Sequence, residues 1–187
     1  MSDAAAVEPF KVELQELLER EHLTLDQLYN CNETGLCYRM LPDKTLAARS
    51  EKDAAAMKKQ KERVTLMSCS NATGMHKLPL MLIGKSANPP HCFININKAA
   101  LPVLYHAQKN ACLDSYIYIF SEWFHKHFVP AVTKYVKERG LTIKALLLLD
   151  NAPSHPDLSS LVSQDGNIKA LFLPPNTTAL FSQWIRV

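Results

Sequence analysis

An acidic residue stands directly after the most apolar segment of the chain. Residues 143–149 are apolar apart from Lys144, a composition typical of a strand covered on both faces of a sheet. Asp150 follows this segment, and Pro153 ends any extension of the strand. The pattern predicts a carboxylate at the carboxyl edge of an α/β sheet, where open sheets of this class hold their active sites. The alternative is that Asp150 only caps a following helix.

Other reactive side chains form no second catalytic pattern. Ser154 and His155 suggest a nucleophile and its base, but neighbours on a helix do not face each other. His125 and His127 are two residues apart on a predicted helix, so their side chains diverge by about 200°. Packing is the expected role of His125 and His127, and helix initiation and loop hydrogen bonding that of Ser154 and His155. His76, His91 and Cys92 have no matching partners at the spacing of zinc ligands, and Trp123 and Phe124 are expected to lie in the core rather than to stack on bases.

The segments that must position Asp150 alternate between helical and extended patterns. The pattern predicts helices over 7–21, 120–135 (kinked or split by Pro130) and 153–163, and strands over 28–32, 64–70, 78–83, 143–149 and 168–173. Residues 39–60 read as a long irregular excursion. A strand hairpin followed by alternating helices and strands predicts an α/β fold with a mixed sheet flanked by helices.

Length and composition indicate one intracellular domain without a membrane span. The chain has 187 residues, 47% of them hydrophobic, and no apolar stretch approaches the roughly 20 residues that cross a bilayer. Its net charge of +3 is compatible with binding a polyanion but does not require it. The basic run 58–63 is expected to be a solvated loop rather than a phosphate-binding patch. Five irregularly spaced cysteines predict reduced thiols rather than disulfides or a zinc site.

Five motifs together point to one family. They are Tyr29–Leu36, Lys61–Thr65, Ile83–Ser86, Leu149–His155 and Phe172–Thr178. In this order, from about Phe10 to Leu180, the chain resembles the DDE-superfamily endonuclease domain of Tigger and pogo-type transposases, including the jerky-like proteins derived from them. The resemblance implies a ribonuclease-H-like mixed sheet flanked by helices and truncated at its C-terminal end. It divides the chain into a pre-core helix, 1–24, and a DDE-type domain, 25–187.

The resemblance also implies a metal-dependent chemistry. In this family three carboxylates hold divalent Mg²⁺, and two such ions about 4 Å apart activate the attacking oxygen and stabilise the leaving one. The first acid position is Asn32 here, the second is Asp150, and ungapped register places Ile185 at the third. The catalytic positions are thus Asp150 and a degenerate Asn32, with Asp150 a weak metal ligand at best. Glu33 is expected to point to the opposite face of its strand from Asn32 and away from Asp150.

The expected function follows from those missing acids. The chain resembles a metal-dependent endonuclease but is predicted to be inactive, with no Mg²⁺ or only weakly bound Mg²⁺. Weak DNA binding without sequence specificity is expected in the nucleus, because no helix-turn-helix module is recognisable. The alternatives are a domesticated protein-interaction module, with a protein partner or a second copy, and a transposon-derived fragment without function. Membrane association is not expected.

Overall fold

The computed structural model describes residues 4–39, 62–87, 97, 100–108 and 113–175. The helices among these residues are α1 (Ala4–Glu21), α2 (Leu113–Trp123) and α3 (Val129–Glu138), with a π turn at Phe124–Phe128 between the last two. The strands are β1 (Leu28–Arg39), β2 (Glu62–Asn71), β3 (Met81–Gly84), β4 (Leu104–Ala107), β5 (Ala145–Leu149) and β6 (Ile168–Phe172). Two short 3₁₀ turns, Leu25–Gln27 and Leu158–Ser160, complete the described elements.

The strands form one mixed sheet in the order β4-β3-β2-β1-β5-β6. β2 runs antiparallel to both of its neighbours, β1 and β3. β1, β5 and β6 are parallel to one another, and β4 is parallel to β3. An antiparallel hairpin unit continued by parallel strands is the arrangement expected of a ribonuclease-H-like fold. The predicted fold class, a mixed sheet flanked by helices, is confirmed.

The sheet is covered on both faces by helices. On one face α1 packs against Leu146 and Leu148 of β5. On the other face α2, the π turn and α3 pack against Leu147 and Leu149. All five residues of β5 are buried, because successive side chains of the strand point alternately to the two helical layers. The apolar run before Asp150 is therefore explained by burial on both sides.

The strands differ from the prediction in the length of β1 and in the presence of β4. β1 was expected to end near Asn32 but continues to Arg39, because its partner β2 extends the antiparallel ladder as far as Glu62. β4 was not predicted at all. It is a four-residue strand that pairs in parallel with β3. This pairing is a long-range contact, and the sequence of β4 alone carries no pattern that predicts it.

The predicted helices over 153–163 and 120–135, which both contain prolines, have different outcomes. The expected helix over 153–163 is wrong, because turns and the short 3₁₀ turn Leu158–Ser160 occupy this segment. Pro153 and Pro156 supply no backbone N–H for helical bonds. The helix over 120–135 is split as predicted, but by a π turn just before Pro130. There the N–H of Val129 donates to the carbonyl of Phe124.

Some sequence predictions fall outside the described residues. They concern the excursion after Arg39, the pair His91 and Cys92, and the segment 176–187 that contains Ile185.

A carboxylate network ties the start of β1 to its surroundings, and its removal has a predictable cost. Oδ1 of Asp26 accepts hydrogen bonds from Thr73 (2.6 Å), Tyr135 (3.0 Å) and Asn71 (3.1 Å), and the first of these contributes most to lowering the pKa of Asp26. Asp26→Ala is expected to lower the free energy of unfolding by about 1–2 kcal/mol, measured by urea denaturation at neutral pH. Asp157→Ala is the control, since the side chain of Asp157 caps no helix. Equal stability losses in the two variants would contradict this role.

Candidate functional site

Asn32 lies on β1, and Asp150 directly follows the neighbouring parallel strand β5. β1 and β5 pair from Leu28 opposite Leu146 to Asn30 opposite Leu148. The pairing ends there, and the same register continued by two residues would set Asn32 opposite Asp150, the residue after β5. Because parallel strands present their carboxyl ends at the same edge, the sheet brings the two predicted positions to that edge.

His155 holds the Asp150 carboxylate. Its Nε2 lies 2.6 Å from Oδ1 of Asp150. This bond is the largest cause of the lowered pKa of Asp150, so the carboxylate is ionised and Nε2 must be the donor. The His155 side chain is only 4% exposed, and its ring packs against Phe120 and Tyr116 of α2, with centroid distances of 4.8 and 6.3 Å. The α2 layer therefore fixes the imidazole that in turn fixes Asp150.

Glu33 also faces this cluster, contrary to the expectation from sequence. Its carboxylate accepts a hydrogen bond from the Tyr116 hydroxyl, and it interacts electrostatically with both Asp150 and His155. Glu33 reaches this cluster because of the geometry of both strands. β1 alternates regularly here, so Glu33 shares the α2 side with Cys31. Asp150 lies beyond the last residue of β5 and is drawn toward that side by His155.

The two carboxyl groups have oppositely shifted proton affinities. Burial raises the pKa of Glu33 to about 6; the charge of Asp150 adds to this rise, and His155 opposes it. The pKa of Asp150 is lowered, mainly by the hydrogen bond from His155. When the pKa values of two nearby carboxyl groups are shifted in opposite directions, one group is protonated at a pH at which the other is ionised. Asp150 is therefore ionised over a pH range in which Glu33 can carry a proton.

Asn32 occupies a different environment from Glu33. Alternation along β1 turns its side chain to the opposite side of the sheet, and the residue is exposed. The backbone carbonyl of Asn32 accepts a hydrogen bond from the Ser68 hydroxyl at 3.5 Å. At the position that the sequence resemblance assigns to the first acid, the chain thus presents a neutral amide to solvent.

The described residues do not fit a two-metal centre. Hard divalent cations need several anionic oxygen ligands. Within the described ranges, no group of three or more His, Cys, Asp or Glu side chains is arranged to hold a metal ion. The carboxylates near the edge, Asp150 and Glu33, already accept hydrogen bonds from His155 and Tyr116.

The remaining reactive residues have the structural roles that the sequence predicts. The Trp123 and Phe124 side chains are buried in the core. His76 contacts the Tyr29 hydroxyl at 2.8 Å and stacks on Tyr135. Nε2 of His125 lies 2.9 Å from the Ser160 carbonyl. His155 contacts Asp150 and no contact joins it to Ser154 as a nucleophile would require.

Sequence reasoning missed Tyr116 and assigned His155 only a loop role. The spacing of His155 five residues after Asp150, across a proline turn, was the available signal for their contact. Tyr116 offered none, because α2 reaches Glu33 only through the packing of the helix on the sheet.

Comparison with known proteins agrees with this architecture. The DDE superfamily endonuclease family matches residues 61–184. Tigger transposable element-derived protein 7 from Homo sapiens is 38% identical over 178 residues, which cover 93% of this chain and 32% of that protein. The Jerky protein homolog from Homo sapiens is 41% identical over 182 residues, which cover 96% of this chain and 31% of that protein. The chain thus spans about a third of the length of these relatives.

One solved structure that aligns with this chain is the crystal structure of the Mos1 mariner paired end complex with Mn. It aligns with a TM-score of 0.45 and 14% identity, over 98% of this chain and 49% of that one.

The mixed sheet, with Asp150 at the carboxyl end of a central parallel strand, defines a ribonuclease-H-like domain. The family match over most of the chain makes the assignment more specific. The chain belongs to the DDE superfamily endonuclease family, and its relatives are transposable element-derived and Jerky proteins. None of the described helices combines the length and the apolar character needed to cross a membrane.

Proposed function

We propose that this chain is a transposase-derived DDE-type domain that does not cleave DNA. The observation that carries the proposal is the exposed, neutral side chain of Asn32, at the position that the family resemblance assigns to the first acid and on the strand next to β5. An amide oxygen can join a metal that other groups already hold, but it contributes no negative charge. The charge needed to bind paired divalent ions is therefore deficient at this edge.

Glu33 does not supply the missing function in this proposal. It lies on the α2 side, where the Tyr116 hydroxyl donates to its carboxylate and burial disfavours its charged form. The Asp150 carboxylate is similarly engaged by His155. His155 engages only one of the two oxygens of Asp150, but Asp150 and a buried, readily protonated Glu33 supply too little negative charge for paired divalent ions, so Asp150 is at best a weak ligand and Mg²⁺ is not expected to bind tightly.

The absence of cleavage is directly testable. Purified chain incubated with supercoiled plasmid and either Mg²⁺ or Mn²⁺ is expected to give no nicked or linear product above the level of Asp150→Ala prepared in parallel. The reason is the charge deficit at Asn32. Product formation is measured by agarose electrophoresis over a time course at several metal concentrations.

The matched variants separate a true activity from contamination. Metal-dependent nicking that disappears in Asp150→Ala and persists in Asp157→Ala would overturn the proposal. If it also disappeared in Glu33→Gln, Glu33 would be identified as the replacement acid. Nicking that is equal in all preparations comes from a contaminating nuclease.

We further propose weak DNA binding through the phosphate backbone, in the nucleus. The support is the family membership and a net charge of +3. Contacts of this kind are independent of sequence and weaken steeply with salt, and dissociation constants of about 10⁻⁴ to 10⁻⁶ M are typical at physiological salt. Fluorescence anisotropy with two unrelated duplexes across a salt series tests this. Tight binding to one duplex alone contradicts it, as does exclusion of a tagged chain from the nucleus.

A second candidate function is protein interaction through the free length of β1. β5 pairs with β1 only over Leu28–Asn30, so within the described residues the strand from Cys31 to Arg39 has one edge without a paired strand. Such an edge can accept an extended segment of another chain. Salt-insensitive recovery of one identified protein, lost when Cys37, whose N–H faces the unpaired edge, is replaced by proline, would favour this function. Binding to DNA alone would oppose it.

A further inference from the structure

Two cysteines stand directly opposite each other on β1 and β2. Cys31 pairs with Cys69 in the antiparallel register. The N–H of Ala72 donates to the carbonyl of Leu28 at 2.8 Å, which makes Leu28 and Ala72 a hydrogen-bonded pair. Hydrogen-bonded and non-hydrogen-bonded pairs alternate along such a ladder, so the cysteines, three positions further on, form a non-hydrogen-bonded pair. In these pairs the Cα atoms are about 4.5 Å apart and the side chains lie close together.

The two thiols contact each other inside the core. Cys31 is 5% and Cys69 is 4% exposed, both belong to the core beneath α2, and a hydrogen bond joins their side chains. Disulfides span Cα separations of about 4.4–6.8 Å, so the ladder already provides the required spacing. Cys37 provides an internal comparison, because it is exposed and lies opposite Arg63 rather than another cysteine.

We propose that Cys31 and Cys69 form a redox-sensitive site that a peroxide converts into a reversible disulfide between β1 and β2. Core packing alone does not require this pair, because two small apolar residues would fill the same space without placing two thiols opposite each other. It does not rest on the proposed function. Its position is nevertheless informative: Cys31 is adjacent to Asn32, and the charges of Glu33 and Asp150 act on its thiol. The disulfide would fix the strand that carries the candidate site.

The chemistry is balanced with hydrogen peroxide as the oxidant. Burial raises the pKa of the Cys31 thiol, so the first step includes loss of a thiol proton: the sulfur of one deprotonated thiol attacks a peroxide oxygen, the O–O bond breaks, a sulfenic acid forms, and the leaving hydroxide takes up the proton as a first water. The second thiolate attacks the sulfenic sulfur, the S–S bond forms, and a second water leaves. Together the thiols lose two electrons and two protons, which reduce one peroxide to two waters. A dithiol reductant reverses the bond by thiol–disulfide exchange.

The test uses a chain in which Cys37, Cys92 and Cys112 are replaced by serine, so that only the proposed pair remains. After treatment of the folded protein with hydrogen peroxide, peptide mapping without reductant is expected to show a Cys31–Cys69 cross-link that dithiothreitol removes. Closing the loop between the strands is expected to raise Tm by about 5–10 °C relative to the reduced protein. Addition of Cys69→Ser to the same background should abolish both effects.

The wild-type chain provides a test that does not depend on any variant folding. Native protein should give the Cys31–Cys69 cross-link above all other pairings, whereas protein oxidised in denaturing urea should give a mixture, because only the folded ladder sets the register. The inference is overturned if native protein yields only Cys37-linked products, sulfinic acids at Cys31 or Cys69, or the same mixture as unfolded protein. It is also overturned if the pair stays reduced until the protein unfolds.

Discussion

Phe120→Ala is expected to lower the free energy of unfolding by about 3–5 kcal/mol, the range typical of a buried phenylalanine. Phe120 is 0% exposed and contacts Trp123 and the His155 ring at centroid distances of 5.4 and 4.8 Å. Its removal opens a cavity between α2 and the loop that holds Asp150. The loss is measured by urea denaturation followed by circular dichroism.

Tyr118→Ala is the matched control for this prediction. Tyr118 lies on the same helix but is 68% exposed, so its truncation is expected to change stability by about 0.5 kcal/mol or less. Similar losses in the two variants would show that α2 is not packed as described. Loss of the same few kcal/mol with an unchanged environment of His155, followed by NMR, would show that Phe120 stabilises the core without positioning the site.

The difference in unfolding free energy between Glu33→Gln and the wild type is expected to shift in favour of the variant as the pH rises from acidic to neutral. Because burial raises the pKa of Glu33 from 4.5 to about 6, the folded state binds a proton that the unfolded state releases between these values. Its contribution to stability is therefore fully present below about pH 4.5 and decreases as the pH rises to about 6. The total loss is on the order of 2 kcal/mol. Glutamine does not titrate, so the variant lacks this loss.

The measurement is the difference in unfolding free energy between variant and wild type at a series of pH values. This difference is expected to rise by about 2 kcal/mol from pH 4 to pH 7. Glu13→Gln, at an exposed position of α1, is the control and should show a nearly flat difference. A flat profile for Glu33→Gln as well would mean that Glu33 is solvated and remote from Asp150. A falling profile would mean that a favourable partner outweighs its burial.

The Phe120→Ala and Glu33→Gln variants test two different contacts at the edge of the sheet that carries Asp150. Phe120 acts through the ring of His155, and Glu33 acts through charge next to Asp150. If both predictions hold, the edge consists of a well-packed imidazole and two carboxyl groups with opposed proton affinities. In that arrangement the hydrogen bond from His155 stabilises the charged form of Asp150.

The sequence by itself determined the elements with strong local patterns. The apolar run before Asp150 predicted a strand buried on both faces, and residues 145–149 form it. The spacing of α1 predicted its helix, and Pro130 predicted an interruption, which the π turn provides. Family motifs predicted the fold class and the family. These features could be predicted because burial and backbone geometry impose a period or a missing donor that appears in the sequence itself.

Only the tertiary structure decided which side chains meet at the edge. Glu33 and Asn32 are neighbours in sequence, and alternation alone could not show which of them would approach Asp150, since Asp150 lies beyond its strand. The contact depends on His155 and Tyr116, which reach the edge through α2 and a proline turn. The pairing of Cys31 with Cys69 likewise requires the register of β1 and β2. Such contacts join residues far apart in sequence, and packing rather than local preference fixes them.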